Sequence, residues 1–317
     1  MTVILSRWDD VAFVCPTCAG PLVASAETVT GACGHRFPIA GGIPRFVDNQ
    51  SYAHAFGFEW NRHRTTQLDS RFGTRRSHEA FEAKTGLRPA DLRGRTVLDV
   101  GVGSGRFAEI AAEAGATVFG MDLSEAVVAA QANLGDRARI VQADLFHAPF
   151  PAATFDIVYS IGVLHHTPDT RAATLAIADL VKPGGTLAIW VYPPSPTNRT
   201  SDLYRRVTIH LPSSALYRLS DLVARLHPLR RIPWLRTLLA YGLPASEEAD
   251  QEWRTLDTFD WYAPRFQWKH RADEVVGWFD EAGFVDVEVL DAPVAVRGRR
   301  ADRLPGSAVE RDPGGRS

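Results

Sequence analysis

Two sets of residues in this chain have the types and spacing to do chemistry. The first is Gly101-Val-Gly-Ser-Gly105, three alternating glycines after the mostly apolar run Thr96 to Val100 and before the Ala-rich stretch Phe107 to Ala114. A buried strand that passes through a glycine turn into a helix brings backbone N–H groups up to a nucleotide-like ligand. Gly101, Gly103 and Gly105 let that backbone approach where a side chain would intrude. Acids recur at matching places: Asp99 near the end of the first strand, Asp122 ending Ala116 to Met121, and Asp144 ending Arg139 to Ala143. A carboxylate at the tip of a second strand is placed to accept the two hydroxyls of a ribose. The second set is Cys15-Pro-Thr-Cys18 and, after an intervening stretch of 14 residues, Cys33-Gly-His35. Two thiolates on a tight knuckle, completed by a distant second pair, suit tetrahedral zinc.

These residues need elements to hold them. Thr96–Val100, Ala116–Asp122, Arg139–Asp144, Phe155–Ser160 and Thr186–Tyr192 read as five strands, with helical stretches between them and Lys182-Pro-Gly-Gly185 opening the fifth. Strands alternating with helices make a parallel α/β sheet whose ligands sit at the carboxyl ends of the strands. The glycine spacing is GxGxG, not the GxGxxG of dinucleotide folds. A nicotinamide-dinucleotide reading accounts for the turn and Asp122, but not for Asp144 or for Leu164-His-His-Thr-Pro-Asp169.

The segments VLDVGVGSGRF, VFGMDLS, VQADLFHAPF, FDIVYSIGVLHH and LVKPGGTLAIWVY, in this order, resemble the class I methyltransferases of the UbiE, or type 11, kind that use S-adenosylmethionine (SAM). The resemblance is close over residues 94–192. It implies a Rossmann-like sheet of seven mostly parallel strands in the order 3-2-1-4-5-7-6. It also implies a SAM site in which Asp99 and the three glycines meet the amino-acid part, Asp122 the ribose and Asp144 the adenine amine. Met121 and Leu145 then sandwich the ring, and Ser160 joins the same site. Arg106 either pairs with the SAM carboxylate or faces solvent. The segment Phe37-Pro-Ile-Ala-Gly-Gly-Ile-Pro-Arg-Phe46 after the last cysteine is similar to a small zinc-ribbon module fused to, or partnering with, some of these enzymes. A four-Cys ribbon would have a further cysteine where Thr30 stands, which leaves His35 as the fourth ligand or the ribbon as a metal-free remnant. Such a module is too small to bury a core, so metal or docking must stabilise it.

The chain divides into the ribbon (1–49), a helical arm (50–93), the SAM-binding core (94–192), a helical cap and substrate segment (193–270), a closing helix and β-hairpin (271–297) and a disordered tail (298–317). Tyr52, Phe56 and Trp60 recur at helical spacing in the arm, on a side that either packs on the core or covers the cofactor cleft. After the stiff Pro193-Pro-Ser-Pro196 about 75 residues intervene before the sheet pattern resumes, too many for a plain connection. They read as amphipathic helices carrying several arginines, a cap over the substrate.

Near the expected position of the reacting methyl lie His165, His166 and Tyr192. A histidine there is either a base for an acceptor that must lose a proton or a shaper of the cleft. The stretch Thr255 to His270 interleaves rings with charges, which suits an organic substrate, and Tyr262 (also a candidate base), Arg265 and His270 are the candidate contacts.

With 317 residues, 45% hydrophobic and 23% charged, the chain has the composition of a globular protein, and its formal net charge of −2 advertises no nucleic-acid partner. Three cysteines are too few for a disulfide framework. No apolar run is long enough to span a bilayer, and Trp8-Asp9-Asp10 interrupts any leader-like core, so a cytoplasmic protein with no membrane partner is expected, as a monomer or homodimer. The leading function is methyl transfer from SAM to an O, N or C atom of a small organic molecule. The alternatives are an RNA or tRNA base methyltransferase recruited through the ribbon, and a non-catalytic SAM-binding scaffold.

Overall fold

The computed structural model describes residues 12–25, 27–47, 52–194 and 198–302. The N-terminal residues 1–11 and the greater part of the expected tail, 303–317, lie outside them.

An antiparallel sheet opens the described chain: β1 (Leu22–Ala24), β2 (Thr28–Gly31), β3 (Arg36–Ala40) and β4 (Ile43–Pro44). The arm follows as α1 (His54–Arg62), α2 (Asp69–Phe72), α3 (Arg76–Thr85) and α4 (Pro89–Leu92). The core alternates β5 (Thr96–Val100), α5 (Arg106–Glu113), β6 (Thr117–Asp122), α6 (Ala126–Leu134), β7 (Ala138–Gln142), β8 (Phe155–Ile161), α7 (Thr170–Ala178) and β9 (Val181–Trp190). Four cap helices then intervene: α8 (Asn198–Thr208), α9 (Ser213–Arg225), α10 (Pro233–Gly242) and α11 (Gln251–Tyr262). Helix α12 (Ala272–Glu281) and the hairpin β10 (Phe284–Val289), β11 (Ala295–Arg300) complete the domain.

The large sheet runs β7-β6-β5-β8-β9-β11-β10, which is 3-2-1-4-5-7-6 when its strands are numbered along the chain. Strands β5 to β9 are parallel and β11 enters antiparallel to β9. The central strands are apolar on both sides because helices cover both faces: Leu98, Phe119 and Val158 pack on one, Val97, Val118 and Ile157 on the other. Strand β11 continues through Arg300, past the expected start of the tail. Arg300 Nη1 donates to three carbonyls, those of Ala178, Asp179 and Val181, which fixes the arginine-rich end of β11 beside β9.

The small sheet has no core of its own. Its Phe13, Val29 and Phe46 belong to the same apolar cluster as Phe119, Val141 and Phe150, and Phe46 N–H donates to Gln142 O at 2.7 Å beside the edge strand β7. Docking against the larger domain therefore supplies burial that some forty residues could not provide alone.

A candidate SAM and acceptor site at the carboxyl end of the sheet

A cavity of about 620 Å³ opens at the carboxyl ends of the parallel strands, a volume ordinary for a small-molecule site. Its floor is Val100 to Ser104, Met121 to Leu123, Ala143 to Leu145 and Ile161 to Val163. Its walls are Tyr52, Phe56, Glu59 and Trp60 from the arm, so the aromatic side of α1 covers the cleft. Helix α11 supplies the roof with Trp253, Leu256, Asp257, Asp260 and Trp261.

The glycine turn lines the cavity through Gly101 and Gly103, and its glycines also serve packing. Gly101 has φ +79°, and a Cβ there would lie 2.3 Å from Val163 Cγ2. Gly105, the residue before α5, would place its Cβ 2.8 Å from Leu134, and it does not line the cavity. Gly101→Ala is expected to destabilise the fold by about 2–5 kcal/mol, from the left-handed backbone and the overlap together. Urea unfolding of the single variant and of the pair with Val163→Ala tests this. The pair should regain only the overlap part, and a single variant as stable as the parent would refute this account of the turn.

Asp122, which ends β6, and Asp144, which follows β7, both line the cavity. Asp122 Oδ2 accepts from Gly103 N–H at 3.0 Å, and Oδ1 accepts from Ser124 N–H and Oγ–H at 2.8 and 2.7 Å. Burial raises its pKa while these donors oppose the rise, and Oδ2 keeps a lone pair for a further donor. Asp144 Oδ1 accepts from Phe146 N–H at 3.0 Å and its Oδ2 lies 3.9 Å from His147 Nδ1, and the residue lines the cavity with Met121 and Leu145. Arg106 does not face solvent. It lines the cavity, donating to Gln67 Oε1 and Ser77 Oγ, both at 2.9 Å, and burial lowers its pKa to about 10, so it remains a cation at neutral pH.

Asp99 and Ser160 sit behind the loop, not in it. Asp99 is buried, accepts from Tyr159 Oη–H at 3.1 Å, and has a pKa raised to about 8 chiefly by burial. Ser160 Oγ–H donates to Val100 O at 2.9 Å and is fully buried. Both couple neighbouring strands, and neither lines the cavity.

The two histidines separate in the same way. Residues Leu164–His166 form a 3-10 turn in which the two adjacent rings touch, 4.1 Å between centroids, and what separates them is access to the cavity. His165 is fully buried and stacks on Tyr192, 4.0 Å between centroids, with neither ring nitrogen hydrogen-bonded. Burial holds its pKa well below the ordinary value, so it is a neutral platform. His166 lines the cavity. Its Nδ1 is 2.9 Å from Phe266 O, a contact only an N–H can make, so Nε2 carries the lone pair. Nε2 has no hydrogen-bond partner and lies 3.9 Å from Asp260 Oδ1, while Tyr192 Oη–H donates to Asp260 Oδ2 at 2.7 Å.

Of the other expected substrate residues only Tyr192 lines the cavity. Tyr262 points away, its Oη–H donating to Pro244 O at 2.5 Å inside the cap. Arg265 is exposed over Phe266, and His270 Nε2 is 2.8 Å from Thr170 Oγ1 outside the cavity. The residues missed are on α11 and α1. Residues 251–262 form a helix, so Trp253, Leu256, Asp257, Asp260 and Trp261, three or four apart, share the side that faces the cavity. Glu59 is 1% exposed and its Oε1 has no partner. Burial, then Asp260 and Asp257, raises its pKa well above the usual range, and burial raises that of Asp257 to about 7.

At the small sheet, Cys15, Cys18, Cys33 and His35 bring four ligand atoms within 4.8 Å of one another. Gly34, with φ +83°, turns the chain so that His35 reaches back to the thiols despite its closeness to Cys33.

The strand order 3-2-1-4-5-7-6 is the one the sequence led us to expect. Residues 98–189 match the family described as a methyltransferase domain. The ubiquinone biosynthesis O-methyltransferase of Thiobacillus denitrificans is 44% identical over 108 residues, 32% of this chain and 45% of that protein. The 27-O-demethylrifamycin SV methyltransferase of Amycolatopsis mediterranei is 34% identical over 121 residues, 35% of this chain and 44% of that protein. The chain thus spans about half the length of the curated relatives it matches. Among solved structures, the complex between the Haloferax volcanii Trm112 methyltransferase activator and the putative methyltransferase covers 79% of this chain and 100% of that one at 15% identity, with a TM-score of 0.46.

Proposed function

We propose that the protein transfers the methyl group of SAM to a nucleophilic atom of a small organic molecule enclosed between the sheet and α11. The observation that carries this reading is the single cavity wall that joins Asp122 and Asp144 to His166 Nε2, a buried and unpartnered acceptor. SAM, when bound, supplies an electrophilic methyl on a sulfonium. Asp122 would hold its ribose hydroxyls, Asp144 its adenine amine, and Arg106 its carboxylate. His166 accepts a proton from the acceptor as the new bond forms. Tyr192 and His165 fix the Asp260 carboxylate and the ring that His166 works against. The rings of Trp60, Trp190 and Trp261 exclude water. The Glu59 carboxyl, whose Oε1 is unpartnered and whose raised pKa favours the protonated form, offers the substrate a hydrogen-bonding group.

Incubation of labelled SAM with an extract, separated into small molecules, RNA and protein, tests the reading. Label in small molecules is expected, and label released only by ribonuclease would overturn it. An RNA substrate recruited by the ribbon wants a basic face there. Among residues 12–47 the cations are Arg36 and Arg45, and Arg45 already donates to Glu125 and Gln142.

The four ligand atoms of the small sheet fit zinc as a structural ribbon site. Cys15 Sγ lies 3.6 Å from Cys33 Sγ and 3.5 Å from His35 Nδ1, and Cys33 Sγ lies 3.0 Å from His35 Nδ1. A tetrahedral site with ordinary Zn–S and Zn–N bonds has edges of about 3.5–3.8 Å, which the two Cys15 distances match and which the Cys33–His35 pair would have to open to reach. Elemental analysis of protein prepared without chelator is expected to find one zinc per chain. His35→Ala should weaken metal retention at least about tenfold and Cys15→Ser should abolish it, both lowering the thermal midpoint while the large domain stays folded. Protein that takes up no zinc and is indifferent to chelator would refute the site.

A further inference from the structure

We infer that the outer side of the helical cap docks the protein onto an anionic lipid surface. Eleven of the seventeen large apolar side chains exposed among the described residues fall within residues 203–243. They form stripes at helical spacing, with arginines between them. Helix α8 exposes Leu203 and Val207 around Arg206, and α9 exposes Leu219 and Leu222 between Arg218 and Arg225. Helix α10 exposes Trp234, Leu238 and Tyr241, at 71%, 61% and 54%, beside Arg236. A soluble surface scatters such residues singly, so a run of them calls for a covering partner.

The charge of the same segment says which partner. Residues 201–243 hold seven arginines against two aspartates, in a chain whose net charge is −2. Arg205, Arg225 and Arg230 pair with Asp202, Asp221 and Glu247, whereas Arg206, Arg218, Arg231 and Arg236 are exposed and meet no acid among the described residues. The stripes are carried by one connected body. Helices α8 and α9 pack their buried sides on α11, Tyr204 Oη–H of α8 donates to Gly242 O at the end of α10, and Arg230 donates to Leu243 O. Their exposed sides therefore form the back of the cavity roof.

Leu, Trp and Tyr set among arginines is the composition of a helix that lies in a membrane interface, its rings and aliphatic chains among the acyl boundary and its guanidinium groups on headgroup phosphates. A second copy of the chain would bring like charges together, and RNA would leave Trp234 and Leu238 uncovered. No helix among the described residues is long and apolar enough to cross a membrane. The expectation of no membrane partner rested on that kind of run, which peripheral docking does not need.

The test is co-sedimentation of the whole protein with vesicles of phosphatidylcholine alone, or of equal parts phosphatidylcholine and phosphatidylglycerol, at low and high salt. Binding is expected to the anionic vesicles at low salt, at least about tenfold weaker to the neutral ones and weakened by salt. Trp234→Ser with Leu238→Ser, and separately Arg206→Gln with Arg218→Gln, should each cut it by about tenfold or more. These exposed changes should leave the circular dichroism spectrum and S-adenosylhomocysteine affinity as in the parent, which separates lost docking from lost folding. Equal or absent binding to both vesicle types would overturn the inference. So would a concentration-dependent dimer that the Trp234→Ser, Leu238→Ser pair dissolves, or ribonuclease-sensitive RNA bound to the purified protein through these arginines.

Discussion

Asp122→Ala should weaken binding of SAM and of S-adenosylhomocysteine by about 10²–10³-fold. A hydrogen bond to a charged acceptor contributes about 1.5–3 kcal/mol, and a ribose hydroxyl on Oδ2 together with loss of the Gly103 N–H anchor puts about 3–4 kcal/mol at stake. The carboxylate also organises its own surroundings, since Gly103 N–H and Ser124 donate to it. Ser124→Ala separates the two roles: it removes one internal donor and leaves both carboxylate oxygens, so affinity should fall by less than about tenfold. Asp122→Asn preserves volume if the alanine variant proves unstable, and it should still lose most of the affinity because an amide presents one acceptor oxygen. Isothermal titration with S-adenosylhomocysteine is the measurement, with thermal unfolding in parallel. A folded Asp122 variant that binds within threefold of the parent would remove the ribose assignment.

That the glycine turn, Asp122 and Asp144 line one cavity was legible because their geometry is local. A strand, a glycine turn and an acid a fixed number of residues on must meet, whatever the rest of the fold does, since parallel neighbours β5, β6 and β7 align their carboxyl ends. Position along a strand, however, does not tell which way a side chain leaves it. Asp99 and Ser160 are close to the turn in sequence, yet the first couples β5 to Tyr159 of β8 and the second couples β8 to Val100. The acceptor half depends on how a long insertion folds back, which no local pattern fixes. Residues 255–270 read as one ring-rich segment, but Tyr262 ends a helix. That helix's period sorts Asp257 and Asp260 toward the cavity and Tyr262 toward Pro244. The three-four spacing from Trp253 to Trp261 was the available signal, and it marked a cavity face, not a core face. Glu59 carried no signal beyond its place between Phe56 and Trp60, since a lone acid in an aromatic helix is ordinarily solvated.

The second large effect concerns His166. With Nδ1–H held by Phe266 O, Nε2 is the only basic atom the ring can offer, and it is buried without a hydrogen-bond partner on a residue that lines the cavity. Burial lowers its pKa, so the ring is already deprotonated at neutral pH, and kcat/KM should be flat there and fall only below the ordinary histidine range. His166→Gln keeps a polar side chain of similar reach but no base. It should lower kcat by about 10²–10⁴-fold with KM and S-adenosylhomocysteine affinity near those of the parent. A side chain that only shaped the cleft would instead raise KM and leave the pH profile intact. Asp260→Asn gives the independent sign. The Asp260 charge, 3.9 Å from Nε2, raises the His166 pKa against burial, so its removal should move the acidic limb to lower pH. It should also cost about tenfold or more in kcat, because the imidazolium formed on proton uptake loses its counter-charge. The acceptor identified by the labelled-methyl experiment serves as substrate. A His166→Gln enzyme with at least half the parental kcat, or an Asp260→Asn limb that moves to higher pH, would mean that the accepting atom needs no base and that alignment alone performs the transfer.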